Sequence, residues 1–272
     1  MFKRIIKIFI RELSLLFKDP KLFIIRWFYC FILNSIFWID KDITYKYKSN
    51  KIRFPNKIWV SYVLMETFVY KIFSKMSWLN RVLDIWGFIW ESAIYLSDNN
   101  KEIYCYELSK NNFEYLKTNC KNKKNIKYYN AWITILDNDY IEYDEKSGVD
   151  STIKIKPSPS NSLIKIKNIN IINLLKEISF DGLKLDIEGW EYNIIKYLID
   201  NKLFNFKKWI IEFHDISLKD NLYFLEEFIK YIQKSNYKYF LITNENKRIS
   251  ISDLHFLNFC NIYFEIIIQN EV

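Results

Sequence analysis

From Arg81 onward, short apolar runs of strand length alternate with amphipathic runs of helix length, and this alternation constrains the fold more than any other feature of the chain. Residues 81–85, 101–107, 126–134, 183–187, 208–213, 237–243 and 261–268 are expected strands; 91–97, 109–120, 171–178, 190–200 and 222–233 are expected helices. Short strands separated by helices require an α/β fold with a parallel sheet and right-handed crossovers. Residues 139–166 break the rhythm with Asp, Ser and Pro, including Ser147-Gly148 and Pro157-Ser158-Pro159. Because the alternation resumes afterwards, they read as an inserted hairpin or surface loop.

The 272 residues accommodate one such domain, over 76–272, and an N-terminal extension over 1–75. Half of the residues are hydrophobic and 19% are aromatic, which excludes a disordered chain. The net charge of +8 would suit an anionic partner, but the lysines are spread along the chain, and abundant Lys, Ile and Asn track AT-rich codons. The charge therefore reads mainly as a solvated surface, and no nucleic-acid partner is expected. Cys30, Cys105, Cys120 and Cys260 are far apart, so neither a disulfide framework nor a metal knuckle is expected. Reduced thiols fit a cytoplasmic protein.

Residues 1–19 place Phe2, Ile5, Ile6, Phe9, Leu13 and Leu16 opposite Lys3, Lys7, Arg11, Ser14 and Lys18, and Pro20 ends the run. Such a basic amphipathic helix can lie on an anionic membrane surface or pack on the main domain. Residues 22–39 are apolar except for Arg26, Asn34 and Ser35. An arginine inside a membrane span costs roughly 2.5–3.5 kcal/mol, so the expectation is peripheral contact through residues 1–40 rather than a spanning helix. Residues 43–47 and 51–54 alternate about Ser49-Asn50 as a hairpin.

In doubly wound sheets, ligands bind at the carboxyl ends of the strands. Four segments fall there, 84–90, 107–109, 186–191 and 212–215, and each carries a carboxylate. Glu107 closes the second strand, where an acid accepts hydrogen bonds from ribose hydroxyls or merely favours the next helix start. Asp186, Glu188 and Glu191 surround Gly189, one of only four glycines. Carboxylates there can orient a cofactor amine, hold a cation, deprotonate a hydroxyl or simply favour a helix N-terminus. Glu212 and His214 share a face by alternation, with His214 placed as a base, a substrate contact or a structural residue, while His255 is read as structural.

The first of these segments is anomalous. Residues 82–92, VLDIWGFIWES, carry a buried strand into a helix through a turn that a nucleotide would require to be glycine-rich, yet Trp86 and Trp90 stand in it.

Taken with IYCYELSKNNFEYLKTN, YYNAWIT, LKLDIEGWEYNII and WIIEFHD, this block resembles the successive blocks of FkbM-type S-adenosylmethionine-dependent methyltransferases over residues 76–243. The resemblance implies a Rossmann-like seven-stranded class I methyltransferase sheet, mostly parallel with an antiparallel last strand and helices on both faces. It implies S-adenosylmethionine as cofactor, held by Asp84, Trp86, Gly87 and Glu91 in the loop, Glu107 at the ribose, and Asn130 and Ala131 at the adenine. Asp186, Glu188 and His214 would border the transfer site, the reaction being O-methylation of a hydroxyl on a sugar, glycan or small metabolite. No DPPY- or NPPY-type tetrapeptide is present, which disfavours methylation of base amines.

The family loop reads roughly D-I-G-A-N-x-G, so tryptophan replaces both glycines and Phe88 the asparagine. Three readings follow: an inactive protein that keeps the fold as a binding module; a shifted loop with both indoles turned outward; or an effect of translation, since a GGA codon lies one base from UGA.

Overall fold

The computed structural model describes residues 17–24, 42–55, 58–143, 164–187, 189–216, 218–235, 237–243, 246–250 and 262–268. A hairpin comes first, β1 (Ile43–Tyr47) and β2 (Asn50–Phe54), paired with Tyr47 opposite Asn50. A helix, Ile58–Leu64, then continues into a π-helical turn, Met65–Val69, neither of which the sequence pattern predicts.

The main sheet contains β3 (Arg81–Ile85), β4 (Glu102–Glu107), β5 (Ile126–Asn130), β9 (Gly182–Leu185), β10 (Lys208–Phe213), β11 (Tyr237–Ile242), β12 (Arg248–Ile249) and β13 (Ile262–Ile268). Their spatial order is β12-β11-β13-β10-β9-β3-β4-β5. Strands β5, β4, β3, β9 and β10 are mutually parallel, and β13 runs antiparallel between β10 and β11. This is the expected seven-stranded sheet with an antiparallel last strand, extended at one edge by the short β12.

Central strands such as β3 read as near-continuous apolar runs because both faces are covered: Val82, Leu83 and Ile85 are all buried. The covering helices begin on side-chain caps where the sequence supplies them. Ser109 accepts from the Asn112 amide at the start of Lys110–Cys120, and Asn170 accepts from the Ile172 and Asn173 amides at the start of Ile171–Glu177.

The expected single strand 126–134 is in fact two. β5 stops at Asn130, and β6 (Trp132–Thr134) joins a second, three-stranded sheet with β8 (Ile164–Asn170) and β7 (Tyr140–Tyr143). Polar side chains explain the handover. The Asn130 side-chain amide donates to the carbonyls of Glu107 and Leu108, tying the end of β5 to the carboxyl end of β4. Beyond it, Thr134 donates to Asn168, whose own amide donates to the carbonyls of Leu136 and Asn138. The insertion expected over 139–166 is represented by the antiparallel β7–β8 pair; residues 144–163 lie outside the described residues.

Most of the amphipathic helix expected over 1–19, and most of the apolar run 22–39, lie outside the described residues. Pro20, expected to end a helix, begins a short one, Pro20–Ile24, a position where its missing N–H costs nothing. Among the described residues, no helix is long and apolar enough to cross a membrane.

The turn after β3 lies hard against β4. The amides of Trp86 and Gly87 both donate to the Tyr106 carbonyl, and a Cβ on Gly87 would stand 2.0 Å from Cys105 Sγ. Gly87→Ala should therefore destabilise the fold by about 1–3 kcal/mol, as overpacking does. The same change in a Cys105→Ala background should cost much less, a coupling readable from urea midpoints in a double-mutant cycle.

Candidate functional site

Parallel pairing brings the carboxyl ends of β3, β4, β9 and β10 to one edge of the sheet. In register, Asp84 lies opposite Cys105 and Lys184, and Ile211 opposite Leu185. Asp84, Glu107, Asp186, Glu212 and His214 therefore emerge together. At the other edge a surface pocket is lined by Asn80, Arg81, Lys101, Glu102, Ser179 and Asp181, but the Asp181 carboxylate there already accepts from the Asn80 and Arg81 amides.

Lys184 organises the site, and its sequence signal is a charge between Leu183 and Leu185 in an apolar strand. Its ammonium is 2% exposed, donates to the Trp86 carbonyl at 2.5 Å, and stands 3.1 Å from Asp186 and 3.5 Å from Asp84. Burial opposes its charge, but the carboxylates of Asp186, Asp84 and Glu91 outweigh burial and hold its pKa above the ordinary value. Asp84 accepts from Ser92 Oγ at 2.7 Å, and the Cys105 thiol lies 3.7 Å from the same oxygen. Burial raises the Asp84 pKa against the opposing pull of Lys184 and Ser92. Glu91, in the first turn of the helix after β3 (Glu91–Ser97), is also buried, and desolvation pushes its pKa up to about 8.

His214 forms the second cluster. Its Nδ1 is 3.2 Å from Glu191 Oε1, and its Nε2 is 3.6 Å from Asp186 and 3.7 Å from Glu212. Glu191 does more than favour a helix start: it also accepts from the backbone amides of His214, at 2.7 Å, and Gly189, at 2.8 Å. Gly189 has φ +98°, the left-handed conformation that spares glycine a steric penalty. Burial alone would lower the His214 pKa, but Glu212, Glu191 and Asp186 outweigh it and push it up to about 11. In this arrangement His214 is a cation at neutral pH, and so a hydrogen-bond donor rather than a base. Asp186, Glu212 and His214 each offer a ligand atom within 4.8 Å of the others, a set able to hold a metal ion. A metal there would have to displace the His214 proton, since that proton now neutralises the carboxylates. Glu188 lies outside the described residues.

Glu107 is 1% exposed. Its Oε1 accepts from the Ser109 amide at 2.8 Å and from the Asn112 side chain at 3.4 Å, while Oε2 has no hydrogen-bond partner among the described residues. Burial raises its pKa well above the usual carboxylate range, against the lowering effect of Ser109, Asn112, the Lys184 charge and the backbone amide of Phe88. Asn130 lies opposite it in register and donates to its carbonyl, and Ala131, the next residue, is buried.

The turn itself is filled. Trp86 is 6% exposed and packs edge-on against Trp132, with ring centroids 5.7 Å apart; Trp90 is 0% exposed and stacks at 6.2 Å on Phe68. Both indoles point inward, which overturns the reading of a loop with its tryptophans turned to solvent. Among the described residues the buried indole N–H groups of Trp90 and Trp132 have no acceptor, each at a cost of about 1–3 kcal/mol.

Comparison with known proteins gives this geometry a family. The methyltransferase FkbM domain matches residues 73–239, more than half of the chain. The chain belongs to that family. No curated protein sequence matches it. Among solved structures it is similar to the methyltransferase FkbM from Methylobacillus flagellatus KT at 15% identity and TM-score 0.44, over 74% of this chain and 47% of that one. The chain thus spans about half the length of that FkbM protein. It is also similar to M. jannaschii TYW2 in complex with AdoMet (14% identity, TM-score 0.45, 84% and 86% covered). A third is SMU.1697c, a putative methyltransferase from Streptococcus mutans in complex with SAH (10%, 0.42, 77% and 96%).

An FkbM-family site implies S-adenosylmethionine, and the residues present fit it at one end only. At Glu107, a buried carboxylate oxygen without a donor matches a ribose hydroxyl. At the turn they do not fit, because Trp86 and Trp90 bring large side chains to the place where backbone must approach the ligand closely.

Two outcomes follow from the buried charges. Lys184→Met leaves Asp84, Glu91 and Asp186 without their cation and should cost about 3–5 kcal/mol of stability by chemical denaturation. Because Glu91 keeps its proton in the folded state up to about pH 8 while the unfolded chain releases it near 4.5, the folded state binds more protons between these values. Its contribution is therefore complete below the unfolded value and is lost as pH rises through about 8, by at most about 1.4 kcal/mol per pH unit. Glu91→Gln should gain on the parent protein steadily from pH 5 to 8; parallel stability curves would contradict this.

Proposed function

We propose that this FkbM-family protein is an S-adenosylmethionine-dependent O-methyltransferase acting on a hydroxyl of a sugar, glycan or small metabolite. Residues 76–272 form its catalytic domain, and residues 1–40 give a cytoplasmic protein a peripheral membrane contact. The observation that carries the reading is Glu107, whose unpartnered Oε2 sits at the end of the second parallel strand, where a ribose diol supplies two donors.

Glu107 would hold the ribose of a cofactor that would supply an electrophilic methyl group, and the task left to this chain's residues would be to position an acceptor hydroxyl in line with it. Of the described site carboxylates that face His214 or Lys184, Asp186 is the most accessible, with its side chain 28% exposed against 12% for Glu212 and 0% for Asp84 and Glu191. Held between Lys184 and His214, it stays fixed in orientation and can accept the hydrogen bond of an acceptor hydroxyl and then its proton. His214, as a buried cation, donates to the acceptor oxygen instead of taking its proton.

A second reading, a non-catalytic binding protein built on the same fold, is favoured by one observation: the Trp86 indole occupies the turn. Titration calorimetry with S-adenosylhomocysteine separates the two. The protein carrying Trp86→Gly and Trp90→Gly should bind in the micromolar range, and adding Glu107→Ala should weaken binding at least tenfold, about 1.4 kcal/mol. A glycine form that folds but does not bind would eliminate the methyl-transfer reading.

A further inference from the structure

The backbone and the side chains of the first turn contradict each other. Trp78, Trp86 and Trp90 have φ of 68°, 71° and 109°. For a bulky L-residue a positive φ is a steric outlier, and 109° lies well beyond the narrow left-handed well near +60° that non-glycine residues can enter. Glycine alone adopts a φ of 109° without strain, and it takes 68° and 71° without the crowding that a bulky side chain meets there. Phe88 is also left-handed, at φ 46°, as are Lys48, Lys71, Lys202, Asp215 and Asn246 between 49° and 58°; among these non-glycine residues Trp90 stands furthest outside the well.

Hydrogen bonding gives an independent sign. Among the described residues, the indole N–H of Trp90 is fully buried without an acceptor, as is that of Trp132, whose ring meets the Trp86 ring edge-on. Buried tryptophans ordinarily find a partner for this group. Trp209 shows the ordinary case in the same molecule: it is equally buried, and its Nε1 donates to the Phe206 carbonyl at 3.1 Å. Composition points the same way, for the chain has nine tryptophans and four glycines in 272 residues, where glycine usually makes up about 7% of a chain.

We infer that positions 78, 86, 90 and 132 are glycine in the protein as its own cells make it, their codons being UGA read as glycine, while position 209 is a true tryptophan. UGA lies one base from the glycine codon GGA and one from the tryptophan codon UGG, so a single misassigned codon accounts for all four anomalies at once. With glycine there, residues 84–91 read Asp-Ile-Gly-Gly-Phe-Ile-Gly-Glu. The Trp86 and Trp132 indoles, which meet edge-on beside the turn, and the Trp90 indole, which lies on Phe68, vanish, so the backbone between Asp84 and Glu91 loses the side chains that cover it. The inference about residue identity stands on backbone angles and unpartnered N–H groups; only the use of the cleft for a nucleoside cofactor rests on the methyl-transfer reading.

Peptide mass spectrometry of the protein isolated from its own cells, read beside the codons of its gene, tests this directly. Expected are UGA codons and glycine masses at 78, 86, 90 and 132, with UGG and tryptophan at 209. Tryptophan in the native peptides at 86 or 90, or UGG codons there, would overturn the inference. The native protein is then titrated with S-adenosylhomocysteine. Glycine at these positions without binding leaves the inference standing and removes the methyl-transfer reading, so the two fail separately.

Discussion

The ammonium of Lys184 is the interaction on which the active edge depends. Three carboxyl groups, Asp84, Glu91 and Asp186, converge on it; Glu91 keeps its proton near neutral pH, Asp84 is wholly buried and Asp186 partly exposed, and negative charge at such a place is costly without a cation beside it. The lysine reaches them from the strand next to β3 and also caps the Trp86 carbonyl, so one side chain ties two strand ends and the turn into a single unit. His214 repeats the device one strand further on. Together the two cations alternate with carboxylates along the strand ends, a pattern that fixes every side chain in orientation before any ligand arrives.

Much of this was legible in the sequence. The order of strands and helices followed from periodicity because the central strands are buried on both faces and so read as unbroken apolar runs, as in residues 82–85. The strand-end rule then located Glu107, Asp186 and His214. Less visible were features fixed by side-chain partners distant in sequence. The split of residues 126–134 depends on Asn130 reaching the Glu107 carbonyl and on Asn168 reaching Leu136, and apolar periodicity carries no trace of either contact. Lys184 was passed over because a single lysine in a strand resembles a surface position; its signal was the pair of leucines flanking it. The charge state of His214 likewise required knowing that three carboxylates face it from separate elements.

The tryptophans at 86 and 90 show how a violated local rule gains meaning. A nucleotide turn without glycine is odd in sequence, but the oddity alone fits an inactive protein as well as an active one. The backbone angles and the orphaned indole N–H groups add a physical inconsistency, since the surrounding fold asks for a residue that the side chains are not.

The clamp by Asn119 has a practical consequence. Its side chain accepts from the Arg53 amide and donates to the Arg53 carbonyl, pinning the edge of the hairpin to the helix after β4, while Ile52 and Phe54 are wholly buried. The hairpin lies well before residue 73, where the family match begins. A fragment trimmed to the matched span would thus expose a face of its own core and leave Asn119 facing water, so the smallest stable unit of this protein is larger than the segment by which its family is recognised.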